Sequence, residues 1–187
     1  MCSKRGHGGT DPLHRRGLPG SADATFNYVK IAILIYAAWV MLIFYLAFQP
    51  FEAQDLRPFM ESIIAEEDLQ ELLPRVEFPY AEGWLTYREP YILIQFVIRK
   101  AAHLFFYAGL AFLAVYQQLL ARENAVKAFS RALIIVVLVA SVDEGIQYLH
   151  EDRAGLVEDV VLNISGSVFA LLWLAWRERA VSFRRKG

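Results

Sequence analysis

Four long apolar runs constrain this chain more than any single residue does. The first, Tyr28–Phe48, reads YVKIAILIYAAWVMLIFYLAF. About 20 residues rising 1.5 Å each in a helix cross the roughly 30 Å hydrocarbon layer of a bilayer. Three more runs follow: one within Tyr91–Leu120, one over about Ala132–Leu149 and one over about Val157–Trp176. Hydrophobic residues make up 56% of the 187 positions, above the roughly 45–50% of a soluble domain, and the excess lies in these runs. The expected fold is therefore all-α: an integral membrane bundle of about four transmembrane helices.

The rest of the chain divides around these spans. Residues 1–27 are rich in Gly, Arg, His and Pro without apolar periodicity, and read as a disordered cytoplasmic tail. His7 and His14 there read as solvated side chains. Cys2 is the only cysteine, so no internal disulfide is available, and no lipid-attachment sequence surrounds it. The run at 28–48 exits through Phe48-Gln49-Pro50-Phe51 rather than through small residues, which favours a retained anchor over a cleaved signal peptide. Residues 49–90 form an acidic segment with ten acids against Arg57, Arg75 and Arg88. Within it, Pro58–Leu73 has helical spacing at Met60, Ile63, Ile64, Leu69, Leu72 and Leu73. That pattern suits an amphipathic helix on the membrane surface, a cover over the bundle or a solvated surface helix. Residues 91–176 hold the other three spans, and 177–187 form a basic cytoplasmic tail. The short connections Ala121–Arg131 and His150–Leu156 make successive helices antiparallel neighbours. No internal repeat is present, which removes support for an inverted-repeat transporter.

Charge sets the expected orientation. Thirteen of the 19 Lys and Arg flank one set of helix ends, in the groups Lys4–Lys30, Arg122–Arg131 and Arg177–Lys186. The other six are Arg57, Arg75, Arg88, Arg99, Lys100 and Arg153. By the positive-inside tendency both termini are cytoplasmic, and the acidic segment and the turn at 150–156 face outward. A formal net charge of −1 offers no basic field for nucleic acid.

This orientation brings three polar sets to one depth. Lys100, His103 and Tyr107 (i, i+3, i+7) fall in the outer part of the second span. Asp143, Glu144 and Gln147 lie near the outer end of the third, and Asp159 and Asn163 in the outer part of the fourth. Asp143 and Asn163 each lie roughly 9 Å below the outer helix end. A charge near the bilayer centre costs about 2.5–3.5 kcal/mol, so such groups face the bundle, paired or hydrated, and mark function by default. A buried ion-pair network that only fixes helix register is the competing reading. His103, Asp143, Glu144 and Asp159 are candidate acid–base groups and also metal-ligand types. The adjacent Arg99 and Lys100 argue against a cation, so no metal or cofactor is expected. Arg153 in the outer turn suits a phosphate or carboxylate, or an interfacial anchor. Asn163 suits a hydrogen bond across helices, and Gly166 with Ala170 forms a small-residue edge for close packing.

The ordered set Lys100-x-x-His103-x-x-x-Tyr107, Asp143-Glu144-x-x-Gln147, Arg153, Asp159-x-x-x-Asn163-x-x-Gly166 resembles the VanZ-like family over about Arg99–Trp176. Two positions depart from the family pattern: Arg99, where an acid often precedes the Lys, and Ala170, where a second Gly is common. The resemblance implies a multi-pass protein of the bacterial cytoplasmic (inner) membrane. The family's founding member is associated with low-level resistance to the glycopeptide teicoplanin.

Four functions compete on this sequence. The first is binding of a membrane lipid or lipid-linked envelope precursor through its polar or anionic head group. The ligand residues would be Lys100, His103, Tyr107, Asp143, Glu144, Gln147, Arg153, Asp159 and Asn163. The second is a membrane enzyme using a carboxylate and His103 as acid and base on such a lipid, although no nucleophile motif is present. The third is a transporter or proton relay, which with four helices would need a homo-oligomer. The fourth is a scaffold with a structural ion network.

Overall fold

The computed structural model describes residues 20–80, 83–149 and 157–184. Four long helices form the bundle: α1 Gly20–Phe48, α4 Pro90–Leu120, α5 Ala125–Tyr148 and α6 Val157–Arg184. Between α1 and α4 lie a 3₁₀ turn Phe51–Gln54, the short helices α2 Arg57–Glu61 and α3 Glu66–Leu72, and the strands β1 Glu77–Tyr80 and β2 Gly83–Thr86. All four long helices are long and apolar enough to cross a membrane. The chain is thus an integral membrane bundle of four candidate spans. Their outward faces carry Leu34, Met41, Leu138, Phe169 and Leu172, all well exposed, as lipid-facing positions are.

Helix α4 is central and packs on α1, α5 and α6. The core is small-residue rich: Ala111, Ala114, Ala132 and Ala140 are buried with Leu110, Val115 and Val136. This is how helices approach closely where lipid supplies no hydrophobic drive between them. Two glycines mark the closest approaches. A Cβ on Gly166 would stand 2.9 Å from the Leu104 carbonyl oxygen and 3.1 Å from its Cα, so the expected small-residue edge of α6 rests on α4 backbone. A Cβ on Gly109 would stand 2.6 Å from Trp39 Cζ2. The Trp39 indole donates its Nε1–H to the Phe106 carbonyl at 2.9 Å, so this deep tryptophan is a helix–helix tie rather than a headgroup anchor. Gly109→Ala should push the indole out and lower stability by about 1–2 kcal/mol, read as a lower melting temperature in detergent.

The helices begin and end away from the limits of the apolar runs. α1 starts at Gly20, inside the segment expected to be a disordered tail through residue 27; residues 1–19 lie outside the described residues. α5 starts at Ala125 rather than near Ala132, because Asn124 caps it: its Oδ1 accepts from Val126 N at 2.9 Å and Lys127 N at 3.4 Å. α6 continues past Trp176 into the basic tail. Hydrophobicity marks the hydrocarbon thickness, whereas capping marks the helix end.

The acidic segment corrects the expectation of one amphipathic helix over Pro58–Leu73. Ser62 ends α2 by turning its Oγ–H to the Phe59 carbonyl at 2.7 Å, and Ala65 is extended before α3. A hydroxyl that bonds locally and two β-branched isoleucines, Ile63 and Ile64, weaken helix continuation. Downstream, β1 and β2 pair antiparallel with Phe78 opposite Leu85 and Tyr80 opposite Gly83. Phe78 and Tyr80, two residues apart, share a face and pack on Phe96 of α4 with ring centroids 6.2 and 4.7 Å away. Gln95 binds the connection to α4, accepting from Leu56 N at 3.1 Å and donating to the Gln54 carbonyl at 3.0 Å. Beside it, the Arg57 guanidinium meets Asp55 at 2.7 Å and holds that carboxyl below its ordinary range. The stabilisation from this pair is present at neutral pH and fades as pH falls through the lowered Asp55 value. It is small at so exposed a site.

Candidate functional site: a polar cluster beside an amphiphilic cavity

The three polar sets meet at the hairpin end of the bundle. Lys100 of α4 pairs with Asp159 of α6. The same ammonium lies over the rings of Tyr80, at 4.7 Å, and Phe96, at 5.2 Å. Tyr80 reaches down from β1 and donates its hydroxyl to Asp159 at 3.1 Å. Burial, with the Asp159 carboxylate next to it, raises the Tyr80 hydroxyl above its ordinary value, so it stays a donor. One turn deeper, Asn163 links two helices. Its Nδ2 donates to Glu144 Oε1 at 3.2 Å, and its Oδ1 lies 3.0 Å from His103 Nδ1. A further turn along α4, Tyr107 donates to Asp143 Oδ2 at 2.8 Å, and Gln147 Nε2 donates to Asp143 Oδ1 at 3.0 Å. Ser167 closes the inner end by donating to the Tyr107 carbonyl at 2.9 Å.

These groups are deeply withdrawn: Asp159 and Asn163 are 0% exposed, Tyr107 1%, Asp143 and Gln147 3%, and Glu144 5%. The network still leaves acceptors over, because Glu144 Oε2, Gln147 Oε1 and Asp159 Oδ2 are buried and take no hydrogen bond among the described residues. Leaving such an atom bare costs about 1–3 kcal/mol.

A cavity of about 290 Å³ opens beside the cluster, between α1, the chain at 51–56, α4 and α5. Its polar lining is Gln54, Gln95, Arg99, His103, Tyr107, Asp143 and Gln147, and the rest is apolar, including Ile43, Leu46, Phe51, Ile98 and Phe106. Arg99 makes no ion pair among the described residues, so its charge is available to whatever enters.

The chain matches the protein-family model described as VanZ/LLP1 over residues 32–177, most of its length. The chain belongs to the VanZ-like family. Neither the curated proteins nor the solved structures yield a match to it.

The VanZ-like motifs sort into two layers around the cavity. His103, Tyr107, Asp143 and Gln147 line it, whereas Lys100, Glu144, Asp159 and Asn163 stand in the network alongside. Arg153 lies outside the described residues. Three contributors escaped the sequence reading of the site. Tyr80 belongs to a four-residue strand containing Pro79, too short and too Pro-interrupted to read as a strand. Gln95 was legible in principle, one turn before Arg99 on the same face of α4. Ser167, one turn beyond Asn163, looked like any small residue of a close-packed helix.

Proposed function

We propose that this VanZ-like protein acts in the cell envelope by holding an amphiphile in the cavity beside its polar cluster. The amphiphile is a membrane lipid or lipid-linked envelope precursor with a polar or anionic head group. The protein sits in the bacterial cytoplasmic membrane, termini inside, with the hairpin end toward the outer leaflet. The carrying observation is the chemistry of the cavity lining. Its apolar residues fit hydrocarbon, and the Arg99 guanidinium, which makes no ion pair among the described residues, lines it together with Tyr107, His103, Gln147 and the Asp143 carboxylate. A fork-shaped, unpaired cation in a chiefly apolar pocket suits a phosphate or carboxylate at the end of a chain. Sequestering or presenting an envelope precursor would link the protein to the glycopeptide resistance associated with its family.

Arg99→Ala and Ala102→Phe are the informative substitutions, because both residues line the cavity while neither joins the buried network. Native mass spectrometry of protein purified in mild detergent should show phosphatidylglycerol or a lipid-linked precursor on the wild type. Each variant should retain it at least about fivefold less, the loss of roughly 1 kcal/mol expected for a partly exposed charge contact, with an unchanged melting temperature. Equal lipid occupancy in all three proteins would refute the reading. The resistance link has its own readout: expression in a susceptible host should raise the teicoplanin concentration needed to stop growth, and Arg99→Ala should abolish the gain.

A further inference from the structure

The cluster beside the cavity leaves buried oxygen acceptors without a donor among the described residues, and one of its members is a histidine. His103, Asp143 and Glu144 each place one ligand-type atom within 4.8 Å of the other two. Around them the hydrogen bonds fix the imidazole. Asn163 donates through Nδ2 to Glu144 Oε1 at 3.2 Å, so its Oδ1 is the acceptor that faces His103 Nδ1 at 3.0 Å. His103 therefore carries its proton on Nδ1, which also stands 3.8 Å from Glu144 Oε1, and keeps a lone pair on Nε2, which takes no hydrogen bond among the described residues. An imidazole held at one nitrogen by an oxygen acceptor, with the other nitrogen free, is the arrangement that orients metal-binding histidines.

Two further atoms point the same way, one of them outside the three ligand side chains. Glu144, 5% exposed, has an Oε2, and Gln147, 3% exposed, an Oε1, that take no hydrogen bond among the described residues. The sequence argues against a cation because Arg99 and Lys100 stand close by, and Arg99 does line the same cavity. In the structure Lys100 is engaged by Asp159 and caged by Tyr80 and Phe96. That leaves Asp143 and Glu144 without a Lys or Arg within salt-bridge distance among the described residues.

We propose that His103, Asp143 and Glu144 bind one divalent transition-metal ion, with the Gln147 amide oxygen or water completing the shell on the cavity side. One nitrogen and two carboxylates suit Zn2+, Mn2+ or Fe2+ rather than Mg2+ or Ca2+, which prefer all-oxygen shells. Three ligand atoms each about 2.1 Å from one ion stand about 3.4–3.6 Å from one another, so from within 4.8 Å the three side chains close by up to about 1.4 Å. An ion there would be open to the cavity and in reach of a phosphate or carboxylate bound beneath Arg99. The proposal stands without that occupant.

The test uses full-length protein carrying Cys2→Ser, His7→Ala and His14→Ala, which removes tail ligands, in detergent stripped of lipid. After incubation with Zn2+ and dialysis, elemental analysis should find about one ion per chain, and Glu144→Gln or His103→Gln should weaken binding at least about tenfold. In the same background Mn2+ should show electron-spin-echo modulation from a directly bound imidazole nitrogen, a readout that does not depend on how well any variant folds. Zn2+ retention equal in the background protein and in Glu144→Gln, or Mn2+ bound without nitrogen coupling, would overturn the proposal. Equal lipid retention by wild type and Arg99→Ala, with metal binding intact, would instead count only against the amphiphile reading.

Discussion

Asp159→Ala is expected to cost about 3–5 kcal/mol of stability, because it leaves the Lys100 ammonium in the bundle without its counter-charge. Asp159 is fully buried and the Lys100 side chain is 14% exposed, so water replaces little of the lost partner. The loss reaches further than one pair. Tyr80 donates to the same carboxylate oxygen, so the hairpin loses that hydrogen bond to the bundle and is left to its packing on α4, chiefly against Phe96. The variant should accumulate poorly in membranes, and in detergent its melting temperature should fall by more than that of any cavity-lining variant. Proteolysis should also cut the segment between α1 and α4 sooner. A melting temperature within a degree or two of wild type would mean that Lys100 does not depend on Asp159.

Gly166→Val should be comparably damaging for a different reason. The new Cβ would lie 2.9 Å from the Leu104 carbonyl oxygen, and backbone in the middle of a helix has no rotamer to change. Either α6 moves away from α4 or the chain does not assemble. Overpacking typically costs about 1–3 kcal/mol, and the upper end applies here. The same displacement would separate Asn163 from His103 and Asp159 from Lys100, which sit within two turns on the same helices. Ala at this position should be milder than Val but still destabilising, whereas Ala170→Gly should change little. Thermal unfolding of the three variants orders them directly.

The parts of this protein that were legible in the sequence are those that lipid dictates. Hydrocarbon thickness fixes how long an apolar run must be, so the four spans were apparent before any coordinates. Helical spacing fixes which residues share a face, so Lys100, His103 and Tyr107 could be set opposite Asp143, Gln147, Asp159 and Asn163. What remained hidden depends on choices among near-equal energies. The 58–73 segment has the periodicity of one helix, yet the Ser62 hydroxyl and the paired isoleucines divide it. The β1–β2 hairpin is held by Phe78 and Tyr80 packing on Phe96, a tertiary contact that four residues of sequence do not announce. Which residues line the cavity and which stand behind it was equally hidden, since i, i+4 spacing gives a face but not its neighbour. Lys100 and Arg99 are adjacent in sequence and both cationic, yet one is caged against Asp159 and the other lines the cavity.

The convergence of these helices is tested most directly by a double-mutant cycle on Lys100 and Asp159, 59 residues apart. Lys100→Met, Asp159→Leu and the double variant are compared with wild type by reversible unfolding in detergent. If the two groups face each other as described, each single change leaves a buried charge alone and the double change relieves it, so the double variant should be more stable than either single one, with a coupling of at least about 1 kcal/mol. Strictly additive losses would show that the two helices do not meet at this level, and the site would not exist.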